Sequence, residues 1–394
     1  MSGSLNNIYN NVSYALYQHS VEMTRLQEQV TTGSRINRPS DDPSCSYRVV
    51  TLNSQEKSLG NYINNLSEAV GTLELSSTII QEIGSSLTET KVRLTQVIGG
   101  IYNEETRERV AEGINDILEQ VVSLANTKNM GQYLFGGSNT TSAPYLLERT
   151  NGQITGVTYQ GSLENREIEV ASGIKSSAFQ VGYDIFGSDD RSDPVFLGDT
   201  GAKAGSGTSN LQGDAWLTVT GSAGNYTLSI DDGLSTFDTN GTHTNLAVTD
   251  LRTGKILYVD TTEINSTGVE LVSVPGTHDI FNTLVSIRDM LKNERELSGA
   301  QLRDLQDNWL TTLEEINELI VQAEVSVGSK IGFLDNLKDS LTKLKYDAED
   351  ESTLIQEADI AQIAVDLSRR EVLYQMSLSI AGRLMSLSLL DFLG

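Results

Sequence analysis

The feature that most constrains this chain is a run of apolar residues, at alternating spacings of four and three, from Leu52 to Ile101. Residues at this spacing form one stripe along an α-helix, as in helices that pack as coiled coils. Similar stripes cover residues 110–124 and 302–344. A narrow apolar stripe is unstable alone in water, so the three predict an antiparallel bundle within the chain, with a reversal at Gly99–Asn103.

Both ends of the chain carry further apolar stripes, over residues 5–30 and 360–392. Polar joints at Thr31–Pro43 and Tyr346–Ser352 are predicted to separate these end helices from the bundle. We expect the two ends to pair with each other and with copies of the chain in neighbouring subunits, since each stripe needs apolar partners. The residues predicted to pack between subunits are Leu5, Ile8, Val12, Met23, Leu26, Val30, Ile363, Leu367, Leu378, Met385, Leu389 and Phe392.

The middle of the chain has the composition of strands and turns, because residues 131–280 hold 21 of the 34 glycines. Alternation with period two predicts strands at 154–159, 166–170, 215–219, 226–230, 255–259 and 269–274. The predicted fold class is therefore mainly α with an inserted β domain. An elongated antiparallel helical bundle, formed by the N- and C-terminal segments, carries a β-rich outer module. The predicted domains are 1–43 with 353–394, 44–187 with 276–352, and 188–275.

Charge and composition exclude several functions. A net charge of −25 repels phosphate backbones and anionic lipid, which argues against a nucleic-acid partner, and no apolar run is long enough for membrane insertion. Three histidines and the lack of recognisable catalytic motifs predict no enzyme activity, catalytic residue, cofactor or metal. Trp309, His19 and the single cysteine, Cys45, are interpreted as packed core residues. The acidic residues around 184–193 fit a calcium loop poorly and are interpreted as a solvated loop.

A turn and a helix start are encoded at residues 31–43. Pro39 prevents the first helix from continuing, Asp42 can cap a new helix, and Pro43 can occupy its first turn. Two groups of residues here and at 131–138 resemble a signature of the flagellin superfamily, specifically its hook–filament junction group. The matching residues are Arg35, Ile36, Pro39, Ser40, Asp41, Asp42, Pro43, Phe135, Gly136 and Gly137. The resemblance covers residues 1–187 and 276–394.

The resemblance implies a structural subunit that joins the flagellar hook to the flagellin filament as a ring. Implied partners are copies of the chain itself, hook-associated protein 1, flagellin and a cytoplasmic export chaperone. The implied location is outside the cell, in the bacterial flagellum, after type III export without a cleaved signal peptide. The alternatives are a flagellin-type filament subunit, a coiled-coil adhesin whose β-module binds glycans, and a metal-dependent hydrolase in the β-module.

Overall fold

The computed structural model describes residues 2–98 and 104–393, and gives the backbone alone for residues 2–6, 8, 9, 98, 300 and 384–393. Its helices are α1 (Ser2–Thr32), α2 (Pro43–Ile98), α3 (Glu104–Ala125), α4 (Gly182–Phe186), α5 (Ile280–Lys292), α6 (Gly299–Gln356) and α7 (Ile360–Leu393). The predicted class, long terminal helices with a β-rich middle, is confirmed. The reversal predicted at Gly99–Asn103 lies outside the described residues.

The strands fall between α3 and α5. They are β1 (Lys128–Asn129), β2 (Gln132–Tyr133), β3 (Tyr145–Thr150), β4 (Gln153–Tyr159), β5 (Glu167–Ala171), β6 (Ile174–Ser177), β7 (Val195–Leu197), β8 (Lys203–Ala204), β9 (Gly213–Ser222), β10 (Asn225–Ser229), β11 (Phe237–Asp238), β12 (Leu246–Thr249), β13 (Ile256–Asp260) and β14 (Gly268–Val274). The six predicted strands correspond to β4, β5, β9, β10, β13 and β14.

The chain divides into two compact units, residues 1–64 with 337–394 and residues 65–336. In the first unit, α1 and α7 run antiparallel: Asn11, Val12 and Ala15 line one groove with Ser377 and Ile380. The start of α2 and the end of α6 are also antiparallel, since Lys345 Nζ lies 3.7 Å from Glu56 Oε1. In the same unit, Ser352 Oγ donates to Asn53 Oδ1 at 2.8 Å.

The second unit buries the predicted helical stripes. Lys91 Nζ of α2 lies 2.6 Å from Glu314 of α6, and Gln81 Nε2 donates to Glu324 Oε1 at 2.6 Å, so the two helices run antiparallel. The stripe residues between and around these helices are buried: Leu66, Leu73, Ile80, Leu87, Leu94, Leu305, Trp309, Leu313, Ile316 and Ile320. The interpretation of Trp309 as a core residue is confirmed, because its side chain is fully buried.

Residues 195–274 form a β-sandwich in the second unit. One sheet has the strand order β11-β10-β9-β14-β7, and the other has the order β12-β13-β8. Every pairing within these two sheets is antiparallel. Apolar side chains of both sheets share one core, which includes Leu217, Leu228, Val248, Leu257, Val259 and Val272. The inserted module therefore has a hydrophobic core of its own.

Two elements differ from the predictions. Helix α6 continues through Tyr346–Ser352, where a polar joint was predicted, and ends at Gln356. That prediction was wrong because the segment contains no glycine or proline, and packing buries Ala348 and Ser352. Helix α5 was not predicted; Asp279 caps it by accepting from the backbone N–H groups of Phe281 and Asn282.

Candidate assembly surface and the joints that position it

The joint between α1 and α2 is built by the residues of the sequence signature. Helix α1 ends at Gly33, whose φ of +69° lies in the left-handed region that favours glycine. The buried side chain of Gln29 then turns the chain by donating from Nε2 to Arg35 O at 2.7 Å. The local sequence thus ends the first helix with a glycine and fixes the exit with a buried amide.

The same joint hydrogen-bonds to the second joint, between α6 and α7. Arg35 N donates to Gln356 O at 2.7 Å, and Ala358 N donates to Gly33 O at 3.1 Å. The guanidinium of Arg35 adds a bond from Nη2 to Ile355 O at 3.2 Å. These bonds satisfy carbonyls at the end of α6 that have no partner within the helix. Helix α6 therefore ends where a contact far away in sequence replaces its own hydrogen bonds.

Two adjacent carboxylates start the next helix. Asp41 Oδ2 accepts from the backbone N–H groups of Asn37 and Arg38, at 3.1 and 2.9 Å. Asp42 Oδ1 accepts from Cys45 N at 3.0 Å, so it is the N-cap of α2 and Pro43 is the first helical residue. That backbone hydrogen bond, with a side-chain contribution from Cys45, holds the pKa of Asp42 below its ordinary value.

The remaining signature residues of the joint are less buried. Ile36 is half-buried, and its carbonyl accepts from Ser34 Oγ at 2.9 Å. Pro39 and Ser40 are exposed. Cys45 is only partly buried, so it is not the fully packed core residue that the sequence suggested.

The second signature, residues 135–137, lies where the helical part passes into the β-hairpins. Phe135 is fully buried and meets Phe186 edge-on at 5.0 Å between ring centroids. Gly137 has a φ of +61°, and a Cβ there would lie 2.4 Å from Ser162 O and 2.7 Å from Glu164 O. Only glycine fits this position without a shift of the neighbouring backbone. The sequence reasoning gave these residues a family match but no physical role.

The predicted subunit-packing residues fall into three groups. Five side chains face the α1–α7 contact or are partly buried near it: Val12, Met23, Leu26, Ile363 and Leu367. Two are exposed, Val30 at 39% and Leu378 at 49%. The side chains of the other five lie outside the described residues: Leu5, Ile8, Met385, Leu389 and Phe392. The predicted pairing of the two chain ends is thus present within one molecule over the middle of the helices.

A second apolar stripe on each end helix was missed from the sequence. On α1 it consists of Tyr14, Tyr17 and Val21, which are 65%, 68% and 48% exposed. On α7 it consists of Val365, Val372 and Met376, each at least 54% exposed. The spacings of three, four and seven put the residues of each stripe on one helix face, away from the mutual contact. We call these six residues the outer stripes. Each end helix is therefore apolar on two faces.

The family described as "Bacterial flagellin N-terminal helical region" matches residues 4–140, which include both signatures. "Flagellar hook-associated protein 3" of Salmonella typhimurium (strain LT2) is 26% identical over 125 residues, 32% of this chain and 39% of that protein. "Flagellin B" of Helicobacter pylori (strain J99) is 25% identical over 178 residues, 42% of this chain and 35% of that protein. Residues 4–140 of the chain are therefore similar to the N-terminal helical region of bacterial flagellins.

One solved structure has a similar fold. The crystal structure of flagellar hook associated protein-3 from Legionella pneumophila aligns with a TM-score of 0.52 at 18% identity. The alignment covers 78% of this chain and 97% of that structure. By sequence, in contrast, the chain spans only about two fifths of the curated hook-associated relatives it matches. Residues 4–140 match the flagellin N-terminal helical region by sequence, and the similarity of fold to the Legionella structure extends over 78% of the chain.

Other potential sites in the described part of the chain are sparse. The acidic residues Asp184, Asp189, Asp190 and Asp193 are exposed, and Tyr183 donates its hydroxyl to Asp189 at 2.7 Å. Among residues 2–98 and 104–393, no group of three His, Cys, Asp or Glu side chains is arranged to hold a metal ion. Within the same described ranges, no helix has both the length and the apolar character to cross a lipid bilayer.

Proposed function

We propose that this chain is a hook–filament junction subunit of the bacterial flagellum, of the hook-associated protein 3 type. It acts as a structural protein, not as an enzyme. The observation that carries the proposal is the similarity of about a third of the chain to two relatives named hook-associated protein 3. Residues 4–140, which hold the two signatures, also match the flagellin N-terminal helical region. The junction fold of the Legionella protein is consistent with it.

The outer stripes supply the assembly mechanism. They expose six large apolar side chains on two helices that pack against each other through their other faces. Burial of apolar surface contributes about 25 cal/mol per Å², so neighbouring subunits that cover these stripes gain stability from each contact. In this proposal the end helices, 1–43 and 353–394, line the inner layer of a tube. The bundle (44–187 with 276–352) surrounds them, and the β-module (188–275) is outermost.

The proposed partners follow from the position of a junction. Copies of the chain form the ring, hook-associated protein 1 lies on the hook side, and flagellin lies on the filament side. Before assembly, a cytoplasmic chaperone covers the apolar end helices, and export proceeds through the type III pathway without a cleaved signal peptide. The assembled subunit is extracellular.

The test is deletion of the gene followed by complementation. Cells without the protein are expected to export flagellin into the medium and to bear hooks without filaments. Complementation with the full chain restores filaments, whereas a chain that lacks residues 2–32 and 360–393 does not. Normal filaments in the deletion strain would contradict the proposal.

The alternative is a flagellin-type filament subunit, supported by the similarity to Flagellin B. The two functions differ in the behaviour of the purified protein. A filament subunit polymerises by itself into long filaments, whereas a junction subunit stops at short oligomers. Electron microscopy of the concentrated protein distinguishes them: long filaments from pure protein would favour the flagellin alternative.

A further inference from the structure

A buried polar cluster joins the β-sandwich to helix α6 inside the second unit. Asp214 at the start of β9 accepts from Trp309 Nε1 through Oδ2 at 3.1 Å. Its other oxygen, Oδ1, lies 3.0 Å from His278 Nε2. His278 Nε2 also lies 3.2 Å from Ser273 Oγ of β14. We call these four residues the Asp214 cluster; it connects two strands, the segment after the sandwich and a long helix.

The carboxylate and the imidazole of this cluster are almost fully removed from water. The side chains of His278 and Asp214 are 2% and 3% exposed. A buried carboxylate is costly unless it is paired, and here its partners are one indole N–H and one imidazole N–H. Since Nε2 must carry a hydrogen to bond Asp214, the charge of the ring depends on Nδ1. Among the described residues, Nδ1 has no hydrogen-bond partner.

The charged groups around the ring favour the imidazolium. They are Asp214 from β9, Glu315 from α6 and Asp279 at the N-terminus of α5, and all three are carboxylates. Burial alone would lower the pKa of His278, but the hydrogen bond and charge of Asp214 outweigh it and raise the pKa above the ordinary 6.5. Glu315 belongs to the same junction, because its Oε1 accepts from Gly276 N at 3.0 Å.

We propose that His278 makes the attachment of the β-sandwich to helix α6 sensitive to pH, holding it firmly while the imidazole is charged and loosening it once the proton leaves. The folded state raises the pKa of this group, so its stabilising effect is complete below 6.5 and is lost as pH rises through the folded-state pKa. Above that pH the Asp214 carboxylate stays buried with neutral donors only. The inference does not depend on the proposed junction function.

A second contact keeps the sandwich from separating completely. Arg295, in the loop between α5 and α6, lies over the ring of Trp216 at 4.9 Å. It also forms an ion pair with Asp232 at 2.7 Å. An arginine stays charged throughout the range in which histidine titrates. Loss of the His278 proton therefore loosens the attachment through the Asp214 cluster but not the one through Arg295, and the sandwich remains folded around its own core.

The two tryptophans of the chain make this testable, because both lie at this junction. In a Trp216→Phe protein, Trp309 is the only indole and donates directly to Asp214. We expect its fluorescence to change in a single one-proton transition at a pH above 6.5. The transition is expected to disappear in Trp216→Phe/His278→Gln. It is expected to persist in Trp216→Phe/His243→Gln, since His243 is an exposed sandwich residue.

Two results would overturn the inference: no transition in Trp216→Phe, or a transition that survives His278→Gln. If the His278→Gln protein does not fold, two measurements on the unsubstituted protein test the inference. Its His278 ring proton, followed by NMR, must titrate above 6.5. Amide protection at 213–216, corrected for intrinsic exchange, must fall as the ring loses its proton. A His278 that titrates at or below 6.5, or unchanged protection, contradicts the proposal.

Discussion

At the scale of single residues, a buried carboxylate in the β-sandwich is held by several hydrogen bonds that the sequence did not reveal. Asp231 is fully buried at the end of β10. Its Oδ1 accepts from Ser229 Oγ at 2.8 Å and Ser235 N at 2.9 Å, and its Oδ2 accepts from Leu251 N at 3.2 Å. Burial alone would raise the pKa of Asp231, but these bonds and that of the Ser235 hydroxyl hold it far below the ordinary 3.8.

Replacement of this carboxylate tests its contribution. We expect Asp231→Asn to lower the free energy of unfolding of the sandwich by about 1.5–3 kcal/mol near neutral pH, because a charged acceptor is lost. Since folding lowers this pKa, the contribution is present above pH 3.8 and is lost as pH falls below it. Urea denaturation across pH is the measurement. The exposed Asp193→Asn is the control, and a variant as stable as the parent would contradict the assignment.

The close approach of neighbouring carbonyl oxygens to Gly137 and the positive φ of this residue make separate contributions to stability, which two variants can distinguish. Gly137 and Gly173 both have positive φ, but a Cβ has nothing within 4 Å at Gly173, whereas at Gly137 it meets two carbonyl oxygens. We expect Gly173→Ala to cost about 1–2 kcal/mol from φ alone, and Gly137→Ala to cost clearly more. Thermal unfolding of the two variants measures the difference. Equal losses would mean that the backbone around Ser162 shifts freely.

At the scale of elements, a helix boundary depended on a distant partner in one case and on local sequence in others. Helix α2 begins where Asp42 and Pro43 predicted, because the cap and the proline act within one turn. Helix α6 passes through the acidic segment 346–352 and stops at Gln356, whose carbonyl accepts from Arg35 N. No local signal in 346–356 specifies that end, since the bond comes from the other joint.

The two apolar faces of α7 are expected to have different roles, one in contacts between subunits and one in the contact with α1. We expect Met376→Asp to leave the α1–α7 contact intact and to block ring assembly, because Met376 is 59% exposed on the outer stripe. In contrast, Ile363→Asp is expected to weaken the contact within the monomer, since Ile363 is only 8% exposed. Circular dichroism and sedimentation distinguish folding from assembly.

The matched control for this pair is Gln375→Asp, which adds the same charge at an exposed polar position beside Met376. It is expected to assemble normally. If Met376→Asp assembles as well as Gln375→Asp does, the outer stripe is not a subunit contact.

At the scale of the molecule, the β-sandwich is an insertion whose ends meet. Ser192 N donates to Pro275 O at 2.9 Å, so the chain leaves the helical part and returns at one point. Because the sandwich has its own core, it adds little to the packing of α3 and α5. That packing includes Arg288 Nη1, which donates to Asn115 Oδ1 at 2.9 Å.

We therefore expect replacement of residues 193–274 by a short Gly–Ser linker to leave the helices folded. The expected change is local: Trp309 loses Asp214, and its emission shifts to the red. Replacement of the hairpin 145–160 is the contrasting variant. It removes Tyr145, whose ring lies 4.5 Å from Phe281, and is expected to unfold this unit. Loss of helical circular dichroism in the 193–274 variant would show that the sandwich is not independent.

Much of this molecule was determined by its sequence, because the deciding interactions are local. Stripes with a spacing of three and four gave the long helices, alternation gave the strands of the sandwich, and the Asp42–Pro43 pair gave a helix start. Tertiary structure decided where contacts far apart in sequence compete with local ones. It set the end of α6 and selected which apolar face of α1 and α7 remains in water. That last choice cannot be read from periodicity, since both faces are apolar and only the packing of one leaves the other free.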